Sequence, residues 1–279
     1  MSNPTMLDQR DLAAIEALMR DVAKRHIMPG FGRIIAAQIH IKSGPLDPVT
    51  DADRAAESAL IDGLGRLFPG IGTLGEESVA ANPAGLTAID RDDPIFVIDP
   101  IDGTQNYAAG LPLFGTMIAL IVQNRVLSGL IYDPIRDDTV IAQPGGGAWL
   151  WRGAERTRLR TPPAVPLSAM IASISWQYMP EPERGLVLRG LTALGQMPNF
   201  RCAAQTYRAI AMGAIHATLS RRTLPWDHAA GSLIVAEAGG FVRQPDGAAW
   251  QPSALNGGIM TAPDEASWQA LHAALYSAS

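Results

Sequence analysis

Three acidic clusters constrain this chain more than any other feature: Gly75-Glu76-Glu77, Asp99-Pro100-Ile101-Asp102-Gly103-Thr104, and Trp226-Asp227-His228-Ala229-Ala230-Gly231. Carboxylates crowded without basic partners repel one another and give up water on burial, so the crowding needs a divalent cation to neutralise it. Every candidate ligand is an oxygen, which suits magnesium, calcium or manganese better than zinc or copper. Gly103 and Thr104 are small residues whose backbone N–H groups can open a helix and face an anion. Metal ions beside an anion cradle suggest phosphate chemistry.

The chain has 279 residues, 47% hydrophobic and 18% charged, enough for a large core in one or two domains. No run of about 18 apolar residues occurs, and Met1 to Arg10 lacks the basic start and apolar centre of a signal peptide, so the expected address is the cytoplasm with no membrane association. The single cysteine, Cys202, excludes an internal disulfide and reads as a small buried residue. A net charge of -5 without a long basic tract argues against nucleic acid as the main ligand.

Apolar residues at helical spacing predict a helix from about Asp8 to Ile27, with Thr5 and Asp8 able to form a capping box. Thr50 with Asp53 opens a second, whose buried stripe runs from Leu60 to Phe68. Short β-rich runs follow at Ile95 to Ile98, Thr116 to Val122, Val126 to Tyr132 and Thr139 to Gln143, with Gln123-Asn124-Arg125 as a hairpin link. The stretch between the Gly-rich 144–147 and the Pro-rich 161–166 has no clear helical periodicity. A domain change is placed near Arg156, giving an α+β half over 1–155 with most of the acidic residues and an α/β half over 156–279 completing the site. In the second half, Met170 to Ile174, Arg184 to Leu194, Thr206 to Ala214, Ala217 to Leu219, Asp227 to Ala238 and Asp264 to Tyr276 alternate as α/β units do.

Asp99 and Asp102 leave the apolar run Ile95 to Ile98 around Pro100, and the Ile101 carbonyl offers one more oxygen ligand. Either aspartate alone also fits a helix cap, as does Asp227 at the start of an Ala- and Gly-rich helix. Glu76 and Glu77 are adjacent at another strand end, so one of them at most is easily a direct ligand. Asp53 is read both as a capping residue and, with Thr104, as the pair that orients an attacking water. The histidines have no ligand spacing, and His228 beside Asp227 is the exception worth testing.

These residues in this order, together with Lys42-Ser43, Asp47 to Asp53 and Glu237-Ala238-Gly239-Gly240, resemble the inositol monophosphatase family of magnesium-dependent, lithium-sensitive sugar-phosphate phosphatases. The resemblance covers nearly the whole chain. It implies a layered αβαβα sandwich of the inositol monophosphatase and fructose-1,6-bisphosphatase type, a homodimer, and two or three Mg²⁺ ions with Mn²⁺ as a substitute. It assigns Glu76, Asp99, Ile101, Asp102 and Asp227 to metal binding, and Asp53, Thr104, Glu77 and Lys42 to catalysis, with Lys42 an electrostatic helper. It places Gly103, Thr104, Ser220 and Arg221 at the substrate. The resemblance weakens at the alcohol-binding wall. Inositol-specific members carry an acidic residue seven positions before the Trp-Asp aspartate, and here that residue is Ser220. A second family aspartate corresponds to His216, and Ala203-Ala204-Gln205-Thr206 departs from the usual Gly-Ser/Thr-Ala.

The expected activity is hydrolysis of inositol 1-phosphate or a related small polyol or sugar phosphate. Histidinol-phosphate phosphatase and 3'(2'),5'-bisphosphate nucleotidase are alternatives on the same scaffold. A partner-binding regulatory protein is the alternative of a different class, which loss of a metal aspartate would favour.

Overall fold

The computed structural model describes residues 7–33, 39–41 and 48–276. Helix α1 (Gln9–Val22) is capped by Asp8, whose carboxylate accepts from the backbone of Arg10 and Asp11 while Asp11 answers to the Asp8 N–H. The capping box thus runs forward from Asp8 to Asp11, since a cap must accept from the turn that follows it. Thr5 lies outside the described residues. The helix continues as a π-turn over Ala23–Ile27. After the short antiparallel pair β1 (Ile39–Ile41) and β2 (Pro48–Thr50), helix α2 (Asp51–Leu67) begins with the expected Thr50–Asp53 capping box.

A seven-stranded sheet follows in consecutive order: β3 (Gly72–Gly75), β4 (Ile95–Asp102), β5 (Gly115–Val122), β6 (Arg125–Asp133), β7 (Asp138–Gln143), β8 (Gly147–Arg152) and β9 (Glu155–Arg158). Short helices α3 (Glu76–Ala81) and α4 (Thr104–Ala108) interrupt it. Strands β3 and β4 are parallel and the remaining pairs antiparallel. Gln123 and Asn124 alone make the hairpin turn, both at positive φ (49° and 57°), and Arg125 already pairs with Val122. Two consecutive residues at positive φ suit the right-handed twist of the strands they join. The stretch without helical periodicity is the β8–β9 hairpin, which occupies the sheet edge.

The sheet is covered on both faces. Along β4, Phe96 and Ile98 pack with Ile15, Met19, Leu60 and Leu64 of α1 and α2, whereas Ile95 and Val97 belong to the opposite core. That opposite core is closed by α6 (Ala203–Ala211) and α7 (Pro225–Glu237), through Tyr207, Ile210, Ala230 and Ile234. Beyond them lies a four-stranded sheet, ordered β10 (Ala172–Ser175), β11 (Ala217–Ser220), β13 (Ile259–Ala262), β12 (Phe241–Arg243). Strands β10 and β11 are parallel, and β12 and β13, absent from the sequence reading, pair antiparallel. Helices α5 (Glu183–Gly190) and α8 (Glu265–Tyr276) seal its outer face with Val187, Leu271 and Leu275. The layers therefore run αβαβα. The division expected at 155/156 falls inside β9. No helix among the described residues is long and apolar enough to cross a membrane.

Helix α7 comes down on the sheet where β6 has no side chain: a Cβ on Gly129 would stand 2.7 Å from the Ala230 carbonyl oxygen and 2.8 Å from its Cα. Two backbones in contact cannot yield as a flexible side chain does. Gly129→Ala is therefore expected to destabilise the protein by about 1–3 kcal/mol, overpacking outweighing the smaller entropic gain of replacing a strand glycine. An unchanged or raised urea midpoint would show that α7 does not depend on this close approach.

Candidate active site

The C-terminal end of β4 supplies the first part of the site. In a regular strand Asp99 and Asp102 would face opposite sides, since residues three apart do not share a face. The pairing with β5 slips between them: Asp99 lies opposite Met117, and Asp102 opposite Gly115. The irregular step at Pro100-Ile101 is fixed by Thr116 Oγ1, which donates to the Pro100 carbonyl at 2.9 Å. As a result Asp99, Asp102 and Asp227, the last from the first turn of α7, bring carboxylate oxygens within 4.8 Å of one another.

These carboxylates form the floor of a cavity of about 270 Å³, which Glu76, the first residue of α3, also lines. Burial pushes the pKa of Asp102 above its ordinary value, and Glu76 adds to the shift. Asp227 is pushed well above the carboxylate range, first by burial and then by repulsion from Asp102 and Glu76, with Arg222 opposing. Asp102 and Asp227 thus resist carrying their charges together without a cation. Hard oxygen donors crowded in this way are the chemistry of a divalent-cation site, and the donor set fits Mg²⁺ or Mn²⁺.

Neither β4 aspartate caps the helix that follows; Gly103 does, at φ +87°, where a Cβ would strike the Leu113 carbonyl at 2.8 Å. Asp102 instead reaches the start of α6, where its Oδ2 accepts from Ala204 N at 2.5 Å and from Cys202 Sγ at 3.0 Å. Cys202, read from sequence as a small apolar residue, is the N-cap of α6 and accepts from Gln205 N at 3.4 Å. Asp227 is likewise not an N-cap: α7 starts with Pro225, whose missing N–H suits a first helical position, and Leu224 precedes it.

The two readings of Asp53 divide between its two oxygens. Oδ2 accepts from Thr50 N and Oγ1, at 2.8 and 2.5 Å, and Oδ1 accepts from Thr104 Oγ1 at 3.1 Å. Thr104 Oγ1 also lies 2.9 Å from the Ile101 carbonyl, so its one proton has two acceptors. Burial raises Asp53 to about 6, against the lowering effect of the Thr50 hydrogen bonds.

Gly103, Thr104, Ile101 and Ser220 all line the cavity, and Ser220 Oγ donates to the Arg222 carbonyl at 3.0 Å. Glu77 does not line it. Arg221, expected at the substrate, is turned aside: its Nε pairs with Glu183 Oε2 at 3.0 Å and its Nη1 donates to the Asn256 carbonyl. Among the described residues, the arginines lining the cavity are Arg222 and Arg201. Lys42 lies outside the described residues.

Sequence reasoning missed Glu57. This buried carboxylate accepts from Glu77 N at 2.7 Å and from Ser78 N at 2.9 Å, anchoring the short helix that presents Glu76. A Cβ on Gly75 would sit 2.2 Å from the Glu57 carboxyl carbon, which accounts for the glycine before Glu76. The available signal was its place four residues after Asp53, on the same face of α2. His228 was also under-read. Its Nδ1 lies 2.8 Å from Tyr207 Oη and its Nε2 is 3.0 Å from the Arg222 carbonyl, and burial lowers its pKa to about 4.

A profile of the inositol monophosphatase family matches residues 8–279. An inositol-1-monophosphatase of Mesorhizobium japonicum is 31% identical over 237 residues, 84% of each chain. Inositol monophosphatase 1 of Bos taurus is 30% identical over 209 residues, 73% of each. The crystal structure of the extragenic suppressor protein suhB from Bartonella henselae superposes with a TM-score of 0.80 at 27% identity, covering 96% of this chain and 99% of that one. The chain belongs to the inositol monophosphatase family and is a metal-dependent phosphomonoesterase.

Proposed function

We propose that the protein hydrolyses small polyol or sugar phosphate monoesters with Mg²⁺ as its activator, working in the cytoplasm as a homodimer. Inositol 1-phosphate, the substrate implied by the names of the relatives, falls within this class. The observation that carries the proposal is the convergence of Asp99, Asp102 and Asp227 at the cavity floor beside the Asp53–Thr104 pair. Phosphate monoesters resist attack because water must approach a dianion, so charge neutralisation and positioning supply most of the catalysis.

Asp99, Asp102 and Asp227 would hold the cation, with Glu76 and the Ile101 carbonyl as further oxygens. When bound, the cation supplies charge neutralisation at the phosphate and acidifies water. The Gly103 and Thr104 backbone faces the phosphate in this reading. Thr104 Oγ1 orients the attacking water and takes a proton from it while passing its own to Asp53 Oδ1, and the raised pKa of Asp53 suits it to hold that proton near neutral pH. The capping bonds to Oδ2 hold that carboxylate still while Oδ1 works.

A phosphate-release panel of polyol and sugar phosphates, with and without Mg²⁺, tests the proposal; turnover that is indifferent to Mg²⁺ and to EDTA would defeat it. Thr104→Ala is expected to lower kcat by about 10²-fold or more with KM within roughly threefold, because water positioning matters chiefly in the transition state. Thr104→Ser should recover most of the loss, and an effect confined to KM would make Thr104 a binding residue instead. We also propose inhibition by lithium, which the retained Asp99, Asp102 and Asp227 would accommodate.

The floor also couples metal to stability. At pH 7 in EDTA, Asp227→Asn removes one repelling carboxylate and should raise the melting temperature, by about 2–4 °C for each kcal/mol of repulsion relieved. Added Mg²⁺ should stabilise the wild type through binding to the folded state alone, and stabilise the variant little or not at all. A variant less stable than wild type in EDTA would mean that Asp227 is held by local bonds rather than strained by its neighbours.

A further inference from the structure

The cavity is lined by charges of both signs. Among the described residues, its acidic lining is Glu76 with the clustered Asp99, Asp102 and Asp227, and the rest of the lining contributes uncharged groups and two arginines, Arg201 and Arg222. Both arginines come from short turns whose backbones are fixed. Arg201 occupies the left-handed region at φ +49°, rare for a residue with a side chain, and its N–H donates to Asn199 Oδ1 at 3.0 Å. The Arg222 carbonyl is within 3.0 Å of both Ser220 Oγ and His228 Nε2, and His228 is itself tied to the buried Tyr207 hydroxyl.

The adjacent arginines of this turn are used differently. Arg221 is occupied by Glu183 and Asn256, whereas among the described residues neither the Arg222 nor the Arg201 guanidinium has an ion-pair partner. Arg222 sits close enough to the floor to oppose the charge of its neighbours at Asp227. A guanidinium fork matches a phosphate or carboxylate bidentately. A neutral polyol would bring neither fork an anion from the alcohol half, and an alcohol bearing an ammonium group would be repelled.

We infer that Arg222 and Arg201 form a second-anion subsite at the cavity wall, so that the preferred substrate is a small phosphomonoester whose alcohol half carries a second phosphate or a carboxylate. This rests on the phosphomonoesterase reading above. It disfavours amino-alcohol phosphates, and histidinol phosphate among them.

Matched esters provide the test. Phosphate release is measured with Mg²⁺ on glycerol 2-phosphate against 2-phosphoglycerate, which differ by a carboxylate, and on fructose 1-phosphate against fructose 1,6-bisphosphate, which differ by a phosphate. Phosphoethanolamine supplies the cationic arm. In at least one pair the ester with the second anionic group should exceed the partner lacking it by about tenfold or more in kcat/KM, the scale of one charge-assisted contact, and the pair that responds identifies the anion. Phosphoethanolamine should fall below glycerol 2-phosphate. Arg222→Gln and Arg201→Gln should each reduce the ratio at least threefold, and the double variant should bring it close to one, with folding checked by circular dichroism. Wild-type ratios below about two in both pairs, with glycerol 2-phosphate hydrolysed, would overturn the subsite and leave the phosphatase reading intact. A tenfold ratio that survives the double substitution would also overturn it. Failure to release phosphate from any ester would defeat the small-ester reading and this inference with it.

Discussion

The structure turns on the burial of like charge at one point. Three of the four acidic residues of the floor, and Asp53 beside it, stand at or near the first turn of a helix; Asp99 lies within β4. Asp53 is in the capping box of α2, Glu76 opens α3, Asp227 lies in the first turn of α7, and Asp102 accepts from Ala204 N at the start of α6. A helix N-terminus presents about half a positive charge and favours a carboxylate by about 0.3–1 kcal/mol, up to ~2 in partly buried settings. Desolvation outweighs this, since the pKa values of Asp53, Asp102 and Asp227 all stand above their ordinary value. The helix ends therefore gather the carboxylates and reduce their repulsion without cancelling it. What remains is the driving force for a divalent cation.

Holding such a cluster requires a frame that does not relax away from it, and two buried polar networks supply one. Glu57 grips the backbone of Glu77 and Ser78, so the orientation of α3 is set from α2. Arg208, 1% exposed, reaches from α6 to Asp138 of β7 and Asp133 of β6, and Arg152 meets the same Asp138 at 2.7 Å. Gln205 adds bonds to the Phe114 carbonyl at 2.9 Å and to Asp133 Oδ2 at 3.1 Å. Buried ion pairs gain little net stability, but they penalise any other register of the helix on the sheet, because a shift would strand a buried charge. The register they fix is the one that brings Ala204 N onto Asp102.

How much of this was legible in the sequence depends on the range of the interactions. Local patterns carried the helices and the central strands: the α1 stripe, the Thr50–Asp53 box and the β5–β6 turn follow from spacing and turn chemistry alone. Strands β8, β9, β12 and β13 were missed because they are short and lie at or near sheet edges, and β9, Glu155–Arg158, is exposed throughout. The floor carboxylates were visible as clusters. Their convergence depends on the slip in pairing at Pro100-Ile101 and on α7 crossing β6 at Gly129, both set by the tertiary fold. Arg221 and Arg222 are equivalent as a sequence pair. The positions of Glu183 and the Asn256 carbonyl decide which of them turns away from the cavity.

Floor and wall differ in how they are built, and that difference bears on how such a site can change its substrate. The floor consists of a strand end and helix first turns locked to the core, so a substitution there disturbs charge, packing and backbone together. The wall consists largely of the turns around 175–178, 199–201 and 220–222, whose side chains bear little of the core's packing, and substitutions there cost less stability. His228 is the point at which the two meet. It adjoins Asp227 on the first turns of α7, packs edge-on to Tyr207 with ring centroids 5.8 Å apart, and meets the backbone that presents Arg222. Neutral imidazole can donate from Nε2 to the Arg222 carbonyl while Nδ1 accepts from Tyr207 Oη, an arrangement that an amide side chain could copy only in part. The wall is therefore free to vary in what it offers the alcohol, but its arginine turn is registered to the carboxylate floor through one buried ring.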